Sequence, residues 1–303
     1  MRCRDNKSVV WREYKNMKRE DFAVFICTHG RPDKQLTLNT LRRCGYTGKI
    51  YLVLDDTDKT IQDYIDIYDA EDIMVFDKNH YINTCYDTGD NVGHYKCILY
   101  AKMAVEDMAK ELGLSSFMLV DDDITNFRYR YPKDGKCASV KMKNMDEALE
   151  VYIDFLLSNN ITAIGFGSPS TYFSGVRSFD PVEFLRYRGV FQVYLRNTSI
   201  PVTWINWYGE DNITLLKSSV HGNLWLQIPY IEYECVLVGD TSKDGGMVDI
   251  YKSVGSFELN QNIKRYFPGS INLILYHKTN KWLPTWKKWK CFPFIVSQSY
   301  RKE

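Results

Sequence analysis

The chain has 303 residues, enough for one large α/β domain or two small ones, and its 45% hydrophobic and 25% charged content is that of an ordinary globular protein. A formal net charge of +1 excludes a surface coated in positive charge. No apolar run approaches the roughly 18 residues of a membrane span, and the charged start Met1-Arg2-Cys3-Arg4-Asp5 lacks an export signal's apolar stretch, so a cytoplasmic location without membrane contact is expected.

Ala23–Cys27 is a short, β-rich apolar run of the kind buried in a parallel sheet, and it empties into the turn Thr28-His29-Gly30-Arg31-Pro32. The helix that follows should stop near Gly45. Ile50–Leu54 and Ile73–Phe76 read as the next strands. Ile98, Ala101, Val105, Met108 and Leu112, at spacings of three and four, predict a long helix opened by Asn91-Val92-Gly93 and ended by Gly113. Phe117–Val120 is a fourth strand that runs into Asp121-Asp122-Asp123. A helix over Met145–Leu157 is expected to be capped by Asn144 with Glu147 three residues on. Ile161–Ile164 is a fifth strand, and Val190–Leu195, Cys235–Val238 and Ile271–Tyr276 read as later ones, with helices near 211–217 and 247–266. Strand–helix alternation in the first half implies a mostly parallel sheet with helices on both faces, and the second half reads as a mixed α/β elaboration of the same domain.

Eight cysteines without a Cys-x-x-Cys pair or regular spacing read as reduced thiols and make zinc a poor candidate. In a doubly wound sheet, ligands gather beyond the carboxyl ends of the strands. Asp121 and Asp123, two residues apart at such an end, can point the same way and hold Mg²⁺ or Mn²⁺, which takes its remaining ligands from a diphosphate and water. The plainer reading of the triplet is an acidic turn. Asp55-Asp56, ending the second strand, can accept hydrogen bonds from a base or ribose, or can simply be a solvated turn. The helix start at Asn91 suits an anion, and Arg31 can reach a phosphate. In Trp207-Tyr208-Gly209-Glu210-Asp211, one carboxylate can act as general base toward a hydroxyl while the other holds sugar hydroxyls; simple capping of a helix start is the alternative. His277 and His221 are each either a metal or phosphate partner or a lone surface histidine.

Charge is segregated along the chain. Residues 55–91 are strongly acidic, and the segment from His277 onward interleaves Lys278, Lys281, Lys287, Lys288 and Lys290 with Trp282, Trp286 and Trp289, a mix suited to phosphates and unstacked bases. Two rival functions share these features. A nucleotidyltransferase would use the same Asp pair but needs a phosphate-binding loop that the sequence does not display; a non-catalytic nucleic-acid binder would use the tail alone.

The runs Val24–Pro32, Tyr51–Asp56 and Leu119–Ile124 resemble the TET-associated glycosyltransferases, a family chiefly of bacteriophages, and Gly209-Glu210-Asp211 extends the likeness. The resemblance implies a GT-A fold and transfer of sugar from a nucleotide-diphosphate donor, UDP-linked by expectation, to 5-hydroxymethylpyrimidines such as 5-hydroxymethylcytosine in DNA. It implies that Thr28, Arg31 and Asp122 line the nucleotide pocket, that Asp55 or Asp56 meets the base or ribose, and that Asp121 and Asp123, joined by His277, bind Mn²⁺ or Mg²⁺. Asp211 would be the base, with Glu210 beside it. Nothing points to a protein partner. The whole chain, 1–303, is then one GT-A-like domain, with residues 20–130 as its nucleotide-binding half and 131–303 as an acceptor-side half with the basic, Trp-rich tail.

Overall fold

The computed structural model describes residues 17, 19–85, 97–181, 192–236, 255–269, 271–277 and 281–286. In chain order the strands are β1 (Phe22–Cys27), β2 (Ile50–Asp55), β3 (Ile73–Phe76), β4 (Ser116–Asp121), β5 (Ile124–Lys133), β6 (Lys136–Lys141), β7 (Ala163–Gly167), β8 (Val193–Asn197), β9 (Trp225–Cys235), β10 (Ile271–Tyr276) and β11 (Lys281–Trp286). The α-helices are α1 (Leu36–Arg43), α2 (Ile61–Ile67), α3 (Lys78–Thr84), α4 (Leu99–Glu111), α5 (Met145–Ser158), α6 (Glu210–Val220) and α7 (Ser256–Tyr266).

Among the described residues, nine strands form one sheet in the order β3-β2-β1-β4-β8-β7-β9-β5-β6, and β10 pairs with β11 in a separate hairpin. β3, β2, β1 and β4 are mutually parallel, and only β8 and β5 run against the other seven strands. The protein is thus a mixed α/β structure around a mostly parallel sheet.

β1 shows why its sequence is apolar at every position. Phe22, Val24 and Ile26 enter one core with Leu41 of α1 and Leu149, Ile153 and Leu156 of α5. Ala23, Phe25 and Cys27 enter the other, with Leu99, Ala104, Val105 and Met108 of α4 and Leu215 and Leu216 of α6. Alternate side chains point to opposite faces, so a strand covered on both sides must be apolar throughout. Each fully buried Leu, Ile or Val adds about 1.5–3 kcal/mol. Gly45, at φ +88, ends the first helix region as the sequence predicts.

Several expectations shift. α4 begins at Leu99, and Asn91-Val92-Gly93 lies outside the described residues. Asn144 precedes α5 but makes no side-chain cap; its amide instead donates to Glu147 Oε2 at 2.7 Å. The strand expected at Cys235–Val238 ends at Cys235, having begun at Trp225. The strand expected at 161–164 occupies Ala163–Gly167, and that expected at 190–195 occupies Val193–Asn197. The helix expected over 247–266 is described over Ser256–Tyr266, and residues 247–254 lie outside the described set. The β5–β6 hairpin has no counterpart in the sequence reading. No helix of the described residues is long and apolar enough to cross a membrane.

Candidate active site

The chain order reverses between β1 and its neighbours β2 and β4, all parallel, with Cys27 opposite both Val53 and Asp121. This is the position where a crevice opens at the carboxyl edge of such a sheet. Thr28 leaves β1 there, Asp55 closes β2 and Asp121 closes β4.

The Asp triplet divides into two roles. Asp122 Oδ2 accepts from Thr28 Oγ1 at 2.8 Å and its Oδ1 from Arg31 Nη1 at 3.0 Å. Gln35 Nε2 donates to Thr28 Oγ1 and to Arg31 O, and Tyr64 Oη accepts from Arg31 N at 3.0 Å. Asp122 is thereby a tie that fixes the Thr28–Arg31 turn. Burial still raises its pKa, against the opposing charge of Arg31.

Asp121 and Asp123 flank that tie and each keeps a buried Oδ1 with no hydrogen-bond partner. Burial, together with neighbouring carboxylates, pushes Asp121 up to about 8, with Lys102 opposing, and burial and the charge of Asp122 push Asp123 up to about 6. Buried, unpaired carboxylate oxygens are costly. A hard divalent cation satisfies them at once, so the donor set fits Mg²⁺ or Mn²⁺. Among the described residues no group of three His, Cys, Asp or Glu side chains converges as a metal cage. His277 is exposed just beyond β10, and His221 is exposed at the end of α6, and neither is grouped with Asp121 and Asp123 among the described residues.

A second acidic pair faces the first. Gly209 caps α6 at φ +69, and a Cβ there would stand 2.5 Å from Ile263 Cδ1, so glycine satisfies both the left-handed backbone and the close approach of α7. Glu210 and Asp211 then occupy the first turn, both buried. Lys102 of α4 places Nζ 2.9 Å from Glu210 Oε1 and 4.9 Å from the centre of the Trp204 ring. Burial lowers the Lys102 pKa, but the charges of Glu210, Asp211 and Asp121 outweigh this and raise it. Asp211 accepts from Asn212 N and Nδ2 at 2.7 and 2.8 Å, and burial plus the charge of Glu210 lift it to about 6. Lys102 and Tyr233 both feel Asp121 and Asp211, so the end of β4 and the start of α6 lie close together.

The end of β2 is a third cluster. Asp55 accepts from His29 Nδ1 at 2.8 Å, from Thr57 N at 3.1 Å and from Lys78 Nζ at 3.4 Å, and also from the Thr57 hydroxyl. Burial would raise this carboxyl, but those partners hold it well below the usual range, and the same contact raises His29. Asp58 fixes the turn by accepting from Gly30 N at 2.7 Å. Asp56 is exposed and only accepts from Lys78 N at 3.0 Å. Of the residues singled out in the sequence, Thr28, Arg31, Asp55 and Asp121–Asp123 thus meet at one edge, and Glu210 and Asp211 meet them across Lys102. Lys102, His29, Lys78, Gln35 and Tyr64 were missed. Lys102 had a signal: lying four residues after Ile98 and three before Val105, it is a charge on the apolar face of its helix.

These features define an α/β protein with paired, unpartnered carboxylates at the crevice of a mostly parallel sheet. The chain belongs to the TET-associated glycosyltransferase family, whose model matches residues 22–240. It is a glycosyltransferase. Among curated proteins none matches the sequence. Solved structures that it is similar to include a mycobacterial protein (9% identity, 88% of this chain and 83% of that one, TM-score 0.46). Others are glucosyl-3-phosphoglycerate synthase from Mycobacterium tuberculosis in complex with Mg²⁺ and uridine diphosphate (8%, 88% and 87%, TM-score 0.43), and a mannosyltransferase from Pyrobaculum calidifontis in complex with GDP-Man and Mn²⁺ (11%, 84% and 65%, TM-score 0.45).

Proposed function

We propose that this glycosyltransferase is of the GT-A type, that it depends on Mn²⁺ or Mg²⁺, and that it moves a hexose from a UDP-linked donor to the hydroxyl of a 5-hydroxymethylpyrimidine in DNA. The observation that carries the reading is the pair of buried, unpartnered oxygens of Asp121 and Asp123 at the end of β4; Asp211 lies near enough to act on the same Lys102. Asp121 and Asp123 would hold the metal, which when bound neutralises charge on the departing diphosphate.

The chain's own groups divide the remaining work. Thr28 and Arg31, locked by Asp122, shape the nucleotide side of the crevice. Asp55, saturated by its partners, holds His29, and this half-exposed imidazole is the group offered to the base or ribose. Asp211, at about 6, is ionised at neutral pH yet basic enough to take the acceptor proton. Lys102 pins Glu210, which leaves that carboxylate's other oxygen to orient a sugar hydroxyl. The whole chain acts as one domain, its acceptor side extending into the Lys/Trp-rich segment, of which 278–280 and 287–303 lie outside the described residues. The resemblance in sequence and that segment's composition support DNA as acceptor.

The test is release of nucleoside diphosphate from a panel of nucleotide sugars, with and without Mn²⁺ and with and without 5-hydroxymethylcytosine DNA. One UDP-sugar should be turned over only with metal and faster with the modified DNA. Turnover undiminished by EDTA ends the metal reading. Equal transfer to unmodified DNA, or transfer to neither, ends the acceptor reading and leaves the family assignment intact.

A further inference from the structure

The sheet ends at β6, an edge strand joined to β5 through the Asp134-Gly135 turn. Arg43, the last residue of α1, and Lys141 and Lys143, at and beyond the end of β6, surround a groove with buried Cys44 and Met142 beneath it and Thr125 and Asn126 along one wall. All three cations are exposed. Arg43 Nη2 donates to Thr40 Oγ1 at 3.1 Å and to Thr125 O at 2.7 Å, both neutral, so its charge is uncompensated. Among the described residues no carboxylate pairs with Arg43, Lys141 or Lys143. The acid of this region, Glu234, is taken by Arg128 Nε at 3.0 Å and Asn126 Nδ2 at 3.1 Å. Lys141 stands directly opposite Arg128 in the β5–β6 ladder, and Glu234 compensates Arg128 there, leaving Lys141 as the added charge.

The backbone holds these charges together. Gly45 follows α1 at φ +88, and a Cβ there would stand 2.3 Å from Lys143 O. Met145 N donates to Cys44 O at 3.0 Å, and Met142 N to Phe127 O at 3.1 Å. The end of α1 is thereby clamped against the chain leaving β6, which fixes Arg43 beside Lys143. The groove is also close to the chemistry: Thr125 follows Asp123 by two residues, about 7 Å at the usual strand rise.

We propose that this groove seats the phosphate backbone of the acceptor nucleic acid and leads the adjoining nucleotide toward the Asp121–Asp123 turn at the carboxyl edge of the sheet. The inference rests on DNA being the acceptor. A strand of phosphates supplies negative charge to match the held Arg43 and the two exposed lysines beside it, and each contact releases counterions. The alternative use of these lysines is to guard the sheet edge against pairing with another chain.

The experiment measures binding of a single-stranded 5-hydroxymethylcytosine oligonucleotide by fluorescence anisotropy across a salt series, together with acceptor KM, for wild type and the variant R43A/K141A/K143A. At about 0.7 per phosphate contact on a single strand, the slope of log affinity against log salt should flatten by about 2. Acceptor KM should rise by about tenfold or more, while hydrolysis of donor without acceptor stays unchanged. K141Q/K143Q should show about two-thirds of the slope change and provides the readout where the triple variant folds poorly. K133A/K136A, which removes charge at the far tip of the hairpin, should leave the slope close to wild type. An unchanged slope in the groove variants, or an equal loss from the tip variant, overturns the groove. Wild type that binds the oligonucleotide through the groove but transfers no sugar to it overturns the acceptor reading alone.

Discussion

Lys102→Met tests whether the junction of β4 and α6 is held by a single buried cation. Methionine keeps the length of the stem and removes the charge. In the native chain Nζ lies 2.9 Å from Glu210 Oε1, with the two side chains 3% and 11% exposed. Removing one partner from a pair this buried leaves the other charge uncompensated, at a cost of about 3–5 kcal/mol. Unfolding entropy of about 2.1 cal/mol/K per residue makes 1 kcal/mol worth about 1.6 °C in a chain of 303 residues, so Tm should fall by about 5–8 °C. A second effect separates this role from packing. Lys102 lowers the pKa of Asp211, so its loss should move the acidic limb of kcat/KM upward from about 6. Lys102→Arg should restore much of that limb, and the double variant K102M/E210Q should be more stable than K102M alone because neither charge is then orphaned. Thermal melts and pH–rate profiles of the four proteins suffice. A melt within 1–2 °C of wild type for K102M, or an unmoved acidic limb, would refute the reasoning.

Other substitutions probe the remaining groups. Asp123→Asn should abolish turnover and the rise in Tm on adding Mn²⁺, since an amide is a poorer ligand for a hard cation; retained stabilisation by Mn²⁺ would count against the metal pair. Asp211→Asn should lower kcat by about 10²–10⁴ with donor affinity nearly unchanged, and the opposite split would reassign it. Gly209→Ala, which must adopt φ +69 against Ile263, should cost at least 1–2 kcal/mol, read as a lower urea midpoint together with lost activity. Asp121 at about 8 and Asp123 at about 6 lie above the ordinary 3.8, so the folded chain keeps protons that the unfolded chain releases. Metal-free stability should therefore fall as pH rises from about 4 through 8, and the gain in Tm with Mn²⁺, which binds the ionised pair, should grow over that window; a pH-independent gain would contradict the assignment.

How far the sequence revealed this structure depended on burial. β1, β2 and β4 are covered on both faces, so their runs are apolar at nearly every position and could be placed within a residue or two. The β5–β6 hairpin escaped because only Ile124 and Phe127 of β5 are buried, and its outer half, Phe127-Arg128-Tyr129-Arg130-Tyr131, carries charge on the alternate positions. Its Asp134-Gly135 turn, at φ 49 and 71, was the signal available and was passed over. β9 was placed too late because Pro229 argues against a strand interior. The structure accommodates it at the register shift between Phe166 and Gly167, where the ladder is already broken. Of the site, the carboxylates were legible because strand ends and helix starts are visible in sequence. Their partners were not: Lys102 and His29 acquire meaning only when α4 meets α6 and when the β1 turn meets β2.

The electrostatics of the site connect these parts. Arg31 balances Asp122, and Lys102 balances Glu210, each at close range. Asp121, Asp123 and Asp211 feel the same two cations, yet burial and neighbouring carboxylates still raise all three. A nucleoside diphosphate approaching such a crevice meets repulsion unless the acids hold their protons or a divalent ion is present. Protonation serves folding, since it spares the interior two buried charges, and the raised values for Asp121 and Asp123 mark that resting condition. It does not serve transfer, because a protonated carboxyl is a poor ligand and a protonated Asp211 cannot accept the acceptor's proton. Metal binding resolves the first of these conflicts under the proposed function. Bound there, a divalent cation would stabilise the ionised pair and present positive charge to the diphosphate, whereas Asp211 is raised by burial and by Glu210. Lys102, whose charge lowers both Asp121 and Asp211, would couple the proposed metal pair to the proposed base.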